Sequence, residues 1–311
     1  MSKLIADIGG TNARFAIVTN GRISDIQVLA CQDHKDPAAA ALAYLASVNV
    51  KPEAGAFAVA TSLDGGDAVA MTNHVWAFSI EETRKALGFS RLQVINDFTA
   101  IAQAMPYLSA ADCFQVGSGE VRKNMPIAII GPGTGLGVAG IVFHGDTPVV
   151  VTTEGGHVTM PVADAREFAL FNWLKKTKYH HISAERVVSG KGLINLFHAV
   201  CGVDGLDLPE KTPAEIAAAG LDGSCKVSAE VLDLFCHFLG VCAGNLALSY
   251  GAAGGVYIAG GIVPQLGDYF THSRFRESFL AKGRFREYLE RIPSFVVTHP
   301  FPGLEGLKNI A

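Results

Sequence analysis

The side chains of this chain that could do chemistry fall in a few short clusters. Asp7-Ile8-Gly9-Gly10-Thr11-Asn12 places a carboxylate after an apolar run, then backbone amides on a tight turn beside a hydroxyl and a carboxamide. Glycine lets a ligand approach the backbone closely, and successive N–H groups make an anion-binding concavity. An aspartate facing phosphates would act by holding a hydrated magnesium ion. An ordinary hairpin turn accounts for the glycines but not for Asp, Thr and Asn together. Asn96-Asp97 stands where a strand passes into a helix. Either residue makes a good helix cap; alternatively, Asp97 accepts a proton from a substrate hydroxyl while Asn96 binds a neighbouring one. Glu154-Gly155-Gly156-His157 sets a glycine turn between two polar groups, a surface loop or a set of groups suited to vicinal sugar hydroxyls.

A second glycine turn, Gly133-Thr134-Gly135-Leu136-Gly137, follows the apolar run Ile127–Ile130. Within it Gly135 to Gly140 fits G-x-G-x-x-G, but the β-prone run Val138–Phe143 continues where a dinucleotide site needs a helix. Ser189-Gly190-Lys191-Gly192 is no P-loop, because Glu185 stands where the first glycine belongs and no Ser or Thr follows the lysine. The two glycine-rich hairpins and the Gly260-Gly261 pair suggest a nucleotide gripped between two lobes.

The elements that must position these groups alternate. Strands are expected at Leu4–Ala6, Phe15–Val18 and Arg22–Ala30, a helix at Pro37–Val48 and a buried strand at Ala56–Ala60. Ser79 caps a helix to Leu87; a strand at Leu92–Ile95 and a helix at Phe98–Met105 follow. The strand-turn-strand design then repeats at Ile127–Phe143. Helices are expected at Arg166–Lys176, Lys191–Val200, Pro213–Ala219 and Ser228–Ser249, the last with a small-residue face at Gly240, Ala243, Gly244 and Ala247. Gly255–Ala259 closes the series as a strand. This order is α/β with a partly parallel sheet in two related halves.

Composition agrees. The chain has 311 residues, 49% hydrophobic and 17% charged, with 34 glycines and a net charge of −4. That excludes extensive disorder and argues against a nucleic-acid partner, which needs clustered Lys and Arg. The basic residues Arg274, Arg276, Lys282, Arg284 and Arg286 are balanced by Glu277, Glu287 and Glu290. Six cysteines without a C-x-x-C pair read as free thiols of a reducing compartment. Asn124–Gly145 and Leu234–Gly267 are apolar but broken by glycines, so they read as core rather than membrane spans. The short apolar start before Asp7 is not a signal peptide, and the expected location is cytoplasmic. His180-His181 with Lys175, Lys176 and Lys178 reads as a solvated face, and Trp76 and Phe78 as core aromatics, the alternative being a place on the sugar side of a cleft.

Taken together, Asp7–Asn12, Met71–Phe78 (with Asn73-His74), Ile95–Ala100, Gly133–Gly137, Glu154–His157, Ser183–Val187 and Ala259–Pro264 resemble bacterial glucokinase of the proteobacterial type, over nearly the whole chain and in order. The resemblance implies a two-lobed actin-like (ribonuclease H-like) ATPase fold with duplicated mixed-sheet domains and a central cleft. It implies a small domain at 1–107 plus 298–311, a large domain at 108–297, and a hinge near 106–112 and 298–302. The implied reaction is transfer of the γ-phosphoryl of ATP to the 6-hydroxyl of glucose. Asp97 would be the general base, and Asn96, Glu154, His157 and Glu185 would bind the sugar. Asp7, Gly9, Gly10, Thr11 and Asn12, with Gly133, Thr134 and Gly135, would cradle phosphates, Asp7 holding Mg²⁺ through water. Gly260 and Gly261 would lie against the adenosine, and a homodimer is implied.

The cysteine set of the related ROK zinc motif is absent, so no structural zinc is expected. One departure stands out: Gly303-Leu304-Glu305-Gly306 puts a glutamate in a Gly-Leu-Leu-Gly-type turn that docks the C-terminal segment. The rival readings are a related hexose or amino-sugar kinase, a non-catalytic sugar-responsive ROK-type protein, whose N-terminal helix-turn-helix is not expected here because the first strand begins by Lys3, and a dehydrogenase built on the glycine decoy.

Overall fold

The computed structural model describes residues 2–72 and 75–310. The Asn73-His74 step of the quoted motif lies outside the described residues. Residues 1–108 with 299–311 form one compact unit, and 109–298 form a second.

In the first unit, β1 (Ser2–Ile8) turns into the antiparallel β2 (Asn12–Thr19), which sets Asp7 opposite Arg14, and β3 (Arg22–Ala30) continues the meander. Asp36 then caps α1 (Pro37–Val48), its carboxylate accepting the Ala39 N–H at 2.7 Å, with Pro37 pre-set at the first helical position. β4 (Ala54–Val59) runs parallel to β1. The small hairpin β5 (Ala68–Ala70) and β6 (Ala77–Ser79) leads into α2 (Ile80–Ala86), which Ser79 caps as expected. β7 (Arg91–Asn96) is parallel to β4 and passes directly into α3 (Asp97–Ala104). The sheet order is β3-β2-β1-β4-β7.

The side-chain alternation of β1 divides the core. Leu4, Ala6 and Ile8 pack on one face with Phe15, Phe57 and Tyr44, while Ile5 packs on the other with Ala56, Ala58 and Ala100. A C-terminal helix, Pro302–Lys308, covers that second face through Leu304 and Leu307, which are fully buried. Glu305 does not disturb this docking: its carboxylate pairs with Lys308 one turn along. Trp76 is a core aromatic whose indole N–H donates to the His34 carbonyl at 3.0 Å.

The second unit opens with β8 (Cys113–Val116), then β9 (Ile127–Pro132), β10 (Leu136–His144) and β11 (Thr147–Thr152). Helices α4 (Ala165–Thr177), α5 (Gly190–Asp204), α6 (Pro213–Leu221) and α7 (Lys226–Tyr250) follow. β12 (Val256–Ile258), the short helices α8 (Ile262–Leu266), α9 (Asp268–His272), α10 (Phe275–Leu280) and α11 (Arg286–Glu290), and β13 (Ser294–Val297) complete it. The sheet order is β11-β10-β9-β12-β13-β8. The small-residue face of α7 is used as its sequence suggests, for Gly240 and Gly244 lie against the carbonyls of Phe275 and Phe279 on α10. Among the described residues α7 alone is long and apolar enough to cross a membrane by composition, but most of it is buried as the core helix of this unit.

Candidate active site

Parallel strands bring their carboxyl ends together, and ligands of open α/β sheets bind at that edge. In the first unit Ile8, Val59 and Asn96 stand in register on β1, β4 and β7, so the Asp7–Asn12 turn, Thr61 and the Asn96-Asp97 step share one edge. The turn is tight, with the Gly9 N–H donating to the Asn12 carbonyl at 3.0 Å. It is also tied from outside, because the Cys31 N–H donates to the Thr11 carbonyl at 2.9 Å.

Of the two residues of Asn96-Asp97, it is Asn96 that caps the helix. Asn96 is the N-cap of α3: its Oδ1 accepts the N–H groups of Phe98 and Thr99 at 2.9 and 3.1 Å. Its Nδ2 donates to the Thr61 carbonyl at 3.2 Å and to Asp97 Oδ1 at 3.0 Å. Asp97, the first helical residue, also accepts the Phe98 N–H at 2.8 Å through Oδ1. All named bonds to the Asp97 side chain therefore fall on one carboxylate oxygen. Burial pushes the Asp97 carboxyl up to about 6, with the charge of Asp7 adding to the rise and the Phe98 N–H and the Asn96 amide opposing it. A carboxyl titrating there is suited to general base work near neutrality.

Asp7 is also raised, chiefly by burial, against the pull of the Arg14 guanidinium 3.4 Å away. Arg14 and Thr61 were not singled out from the sequence. Arg14 was legible there, since a short turn between two strands fixes Asp7 and Arg14 as cross-strand partners. Thr61 was not, because its role depends on the neighbour order β4-β7.

The second unit assembles the other clusters. Gly133-Thr134-Gly135 joins β9 to β10, closed by the Gly133 N–H donating to the Gly135 carbonyl at 2.8 Å. Glu185 reaches this turn: its Oε2 accepts the Leu136 N–H at 3.0 Å, and a Cβ on Gly135 would sit 2.5 Å from that oxygen. The Leu136 carbonyl lies against Gly156, where any side chain would collide with it. The turn thus stands between Glu185 and the Glu154–His157 segment. The rims of Glu154 and His157 face solvent, their side chains 64% and 59% exposed, with His157 Nε2 3.9 Å from Glu154 Oε2.

Gly260 completes the group; it adopts φ +89°, open to glycine, and a Cβ there would fall 2.5 Å from the Pro132 carbonyl at the end of β9. Gly261 is exposed beside it. The α5 N-terminus, read in the sequence only as a failed P-loop, also meets the turn: the Gly190 N–H donates to the Gly133 carbonyl at 2.8 Å.

A magnesium–nucleotide complex suits Asp7 better than an all-protein metal cage would. No group of three or more His, Cys, Asp or Glu gathers among the described residues, whereas Mg²⁺ is commonly held by one carboxylate with phosphates and water. The raised Asp7 carboxyl, partly compensated by one arginine, is the kind of buried acid that a nearby cation would keep ionised.

Comparison with known proteins gives the family. The family model described as Glucokinase matches residues 4–311. The glucokinase of Paramagnetospirillum magneticum is 48% identical over 311 residues, covering 99% of this chain and 96% of its own. The crystal structure of glucokinase from an Antarctic psychrotroph superposes with a TM-score of 0.88 at 37% identity, covering 98% of this chain and 97% of that one. A ROK family glucokinase from Streptomyces griseus, solved with glucose and AMPPNP, shares the fold at TM-score 0.68 and 19% identity, covering 100% of this chain and 99% of that one. The actin-like α/β fold class and the resemblance read from the sequence both stand, and this chain belongs to the glucokinase family.

Proposed function

We propose that Asp97 is the general base of this protein, taking the proton of the glucose 6-hydroxyl as that oxygen attacks the γ-phosphorus of ATP. The reaction itself, ATP-dependent phosphorylation of glucose, follows from the family. The observation that carries the assignment of Asp97 is its raised carboxyl, ordered among the described residues through Oδ1. Phosphoryl transfer asks for positioning and charge stabilisation more than for covalent help, so a single oriented base suffices.

The amides of Gly9–Asn12 and Gly133–Gly135 receive phosphate oxygens in this reading, and Asp7 holds Mg²⁺ through water. Bound Mg²⁺ supplies neutralisation of the phosphate charge. Gly260 and Gly261 leave room for the adenosine. Glu154, His157 and Glu185 meet sugar hydroxyls away from the reacting oxygen. Glu185 does so with one oxygen already fixed by Leu136, which orients the other. Asn96 has both amide hydrogens and its oxygen engaged, so it meets a sugar hydroxyl only by exchanging one of those bonds. Its constant task is to hold Asp97.

The domain division at 107/108 and 297/298, a homodimeric state and a cytoplasmic location complete the proposal. Sedimentation of the purified protein tests the dimer. An assay of ADP release with glucose across a hexose panel tests the reaction: turnover with glucose supports it, and turnover confined to another hexose or an amino sugar would replace the substrate.

A further inference from the structure

The second unit carries a cavity that the sugar and nucleotide assignments do not use. It is an open hollow of about 310 Å³, within the range of small-molecule sites. One stripe of α4 lines it: Phe168, Phe171, Asn172 and Lys175 recur at i, i+3, i+4 and i+7. His180 and His181 supply further polar lining. Phe168 is 63% exposed, so its ring is open to a ligand in the cavity. The Lys175 ammonium has no carboxylate partner among the described residues, and no Asp or Glu lines the cavity.

Apolar rings beside cationic or cationisable groups, with no negative charge among them, select for one ligand chemistry. We propose that this cavity binds a small aryl carboxylate, its ring against Phe168 and Phe171 and its carboxylate on Lys175 and the His180-His181 imidazoles. A purely apolar ligand makes no use of the exposed Lys175 ammonium, and a bare anion leaves the exposed Phe168 ring uncovered.

The cavity wall is joined to the proposed sugar site. Thr159 and Met160 line the cavity, and Val158–Met160 is paired with Ile182–Ala184: the Met160 N–H donates to the Ile182 carbonyl at 3.0 Å and the Ala184 N–H to the Val158 carbonyl at 2.9 Å. One of these segments follows His157 directly and the other precedes Glu185. His181 adds a side-chain link, its Nε2 lying 2.9 Å from Thr159 Oγ1. A ligand seated here shifts KM for glucose and leaves kcat unchanged; this coupling, unlike the binding, rests on the sugar-site reading above.

Calorimetric titration with phenylpyruvate tests the binding without any reaction, with pyruvate and 2-phenylethanol as the anion-only and ring-only comparators. Saturable binding of phenylpyruvate is expected, at least about tenfold tighter than either comparator. Lys175→Met and Phe168→Ser should each weaken it about tenfold while leaving kcat and both KM values of the ligand-free enzyme unchanged. Absence of saturable binding, or equal binding by the parent and both variants, would overturn the proposal. So would a dimer that Phe168→Ser splits in sedimentation while phenylpyruvate fails to bind, since a second copy of the chain would then cover the rings. Binding with no change in KM for glucose removes the coupling and keeps the ligand site, whereas the sugar site stands or falls separately on Glu154.

Discussion

Asn96 donates from Nδ2 to Asp97 Oδ1 at 3.0 Å while its own Oδ1 closes the first turn of α3. One carboxamide thus caps the helix and fixes the carboxylate beside it. The two tasks separate by mutation. Asn96→Ser keeps a capping oxygen and loses the amide bond to Asp97, so the thermal midpoint should barely move while kcat falls. Asn96→Ala also removes the cap and should cost about 1 kcal/mol of stability as well. Equal losses of stability in the two variants, with kcat unchanged, would reduce Asn96 to a cap.

Titration of Asp97 sets a pH dependence. A base must be deprotonated, and this carboxyl is pushed up to about 6, so kcat/KM should fall as pH drops through that value and level off above it. Stability runs the other way. The folded value lies above the ordinary aspartate value, so the native state binds the proton more tightly than the unfolded chain. The Asp97 contribution therefore favours folding below the ordinary value and is lost as pH rises through about 6. Steady-state kinetics and thermal melts across that range, for the parent and Asp97→Asn, check both signs; the variant should lose this part of the pH dependence of stability.

Much of the candidate site was legible before the fold, for a physical reason. Asp7–Asn12, Asn96-Asp97 and Glu154–His157 are local clusters in which glycines and polar groups are adjacent in sequence, and Ser79 and Gly240 act through their own helices. Long-range pairings left weaker marks. β8 and β13 are 4-residue strands that pair with each other across the length of the second unit, and neither has an internal period to announce it. β11 was more readable than it was read, because Gly145-Asp146 between apolar runs is a hairpin signal. The C-terminal helix was obscured by Gly303 and Gly306, poor helix formers placed where the helix lies close to Asp7 and to α3.

Glu185 has a structural partner that distinguishes its variants. Glu185→Gln can still accept the Leu136 N–H, so the thermal midpoint should hold while KM for glucose rises. Glu185→Ala leaves that half-buried N–H without its acceptor and should cost about 1–3 kcal/mol in addition. Paired melting and kinetic measurements decide it, and an Ala variant as stable as the Gln variant would contradict the role given to the Leu136 bond.

In the proposed site Glu154 meets the sugar and not the nucleotide. Replacement by Gln removes charge from a hydroxyl-binding group, so KM for glucose should rise about tenfold or more with KM for ATP little changed. Two-substrate kinetics measure both constants. An equal rise in both would move Glu154 out of the sugar pocket and into a structural role.

The most direct test of the account is kcat and thermal midpoint measured on one preparation of Asp97→Asn. The side chain keeps its size and can still accept the Phe98 N–H, and it sheds a carboxylate that burial disfavours. The midpoint near neutral pH should therefore hold or rise slightly. Loss of a positioned base should lower kcat by about 10²–10⁴-fold, roughly 3–5 kcal/mol of transition-state stabilisation, with glucose still bound. A variant that retains more than about a tenth of the parental kcat, at an unchanged midpoint, would contradict the assignment of Asp97 as the base.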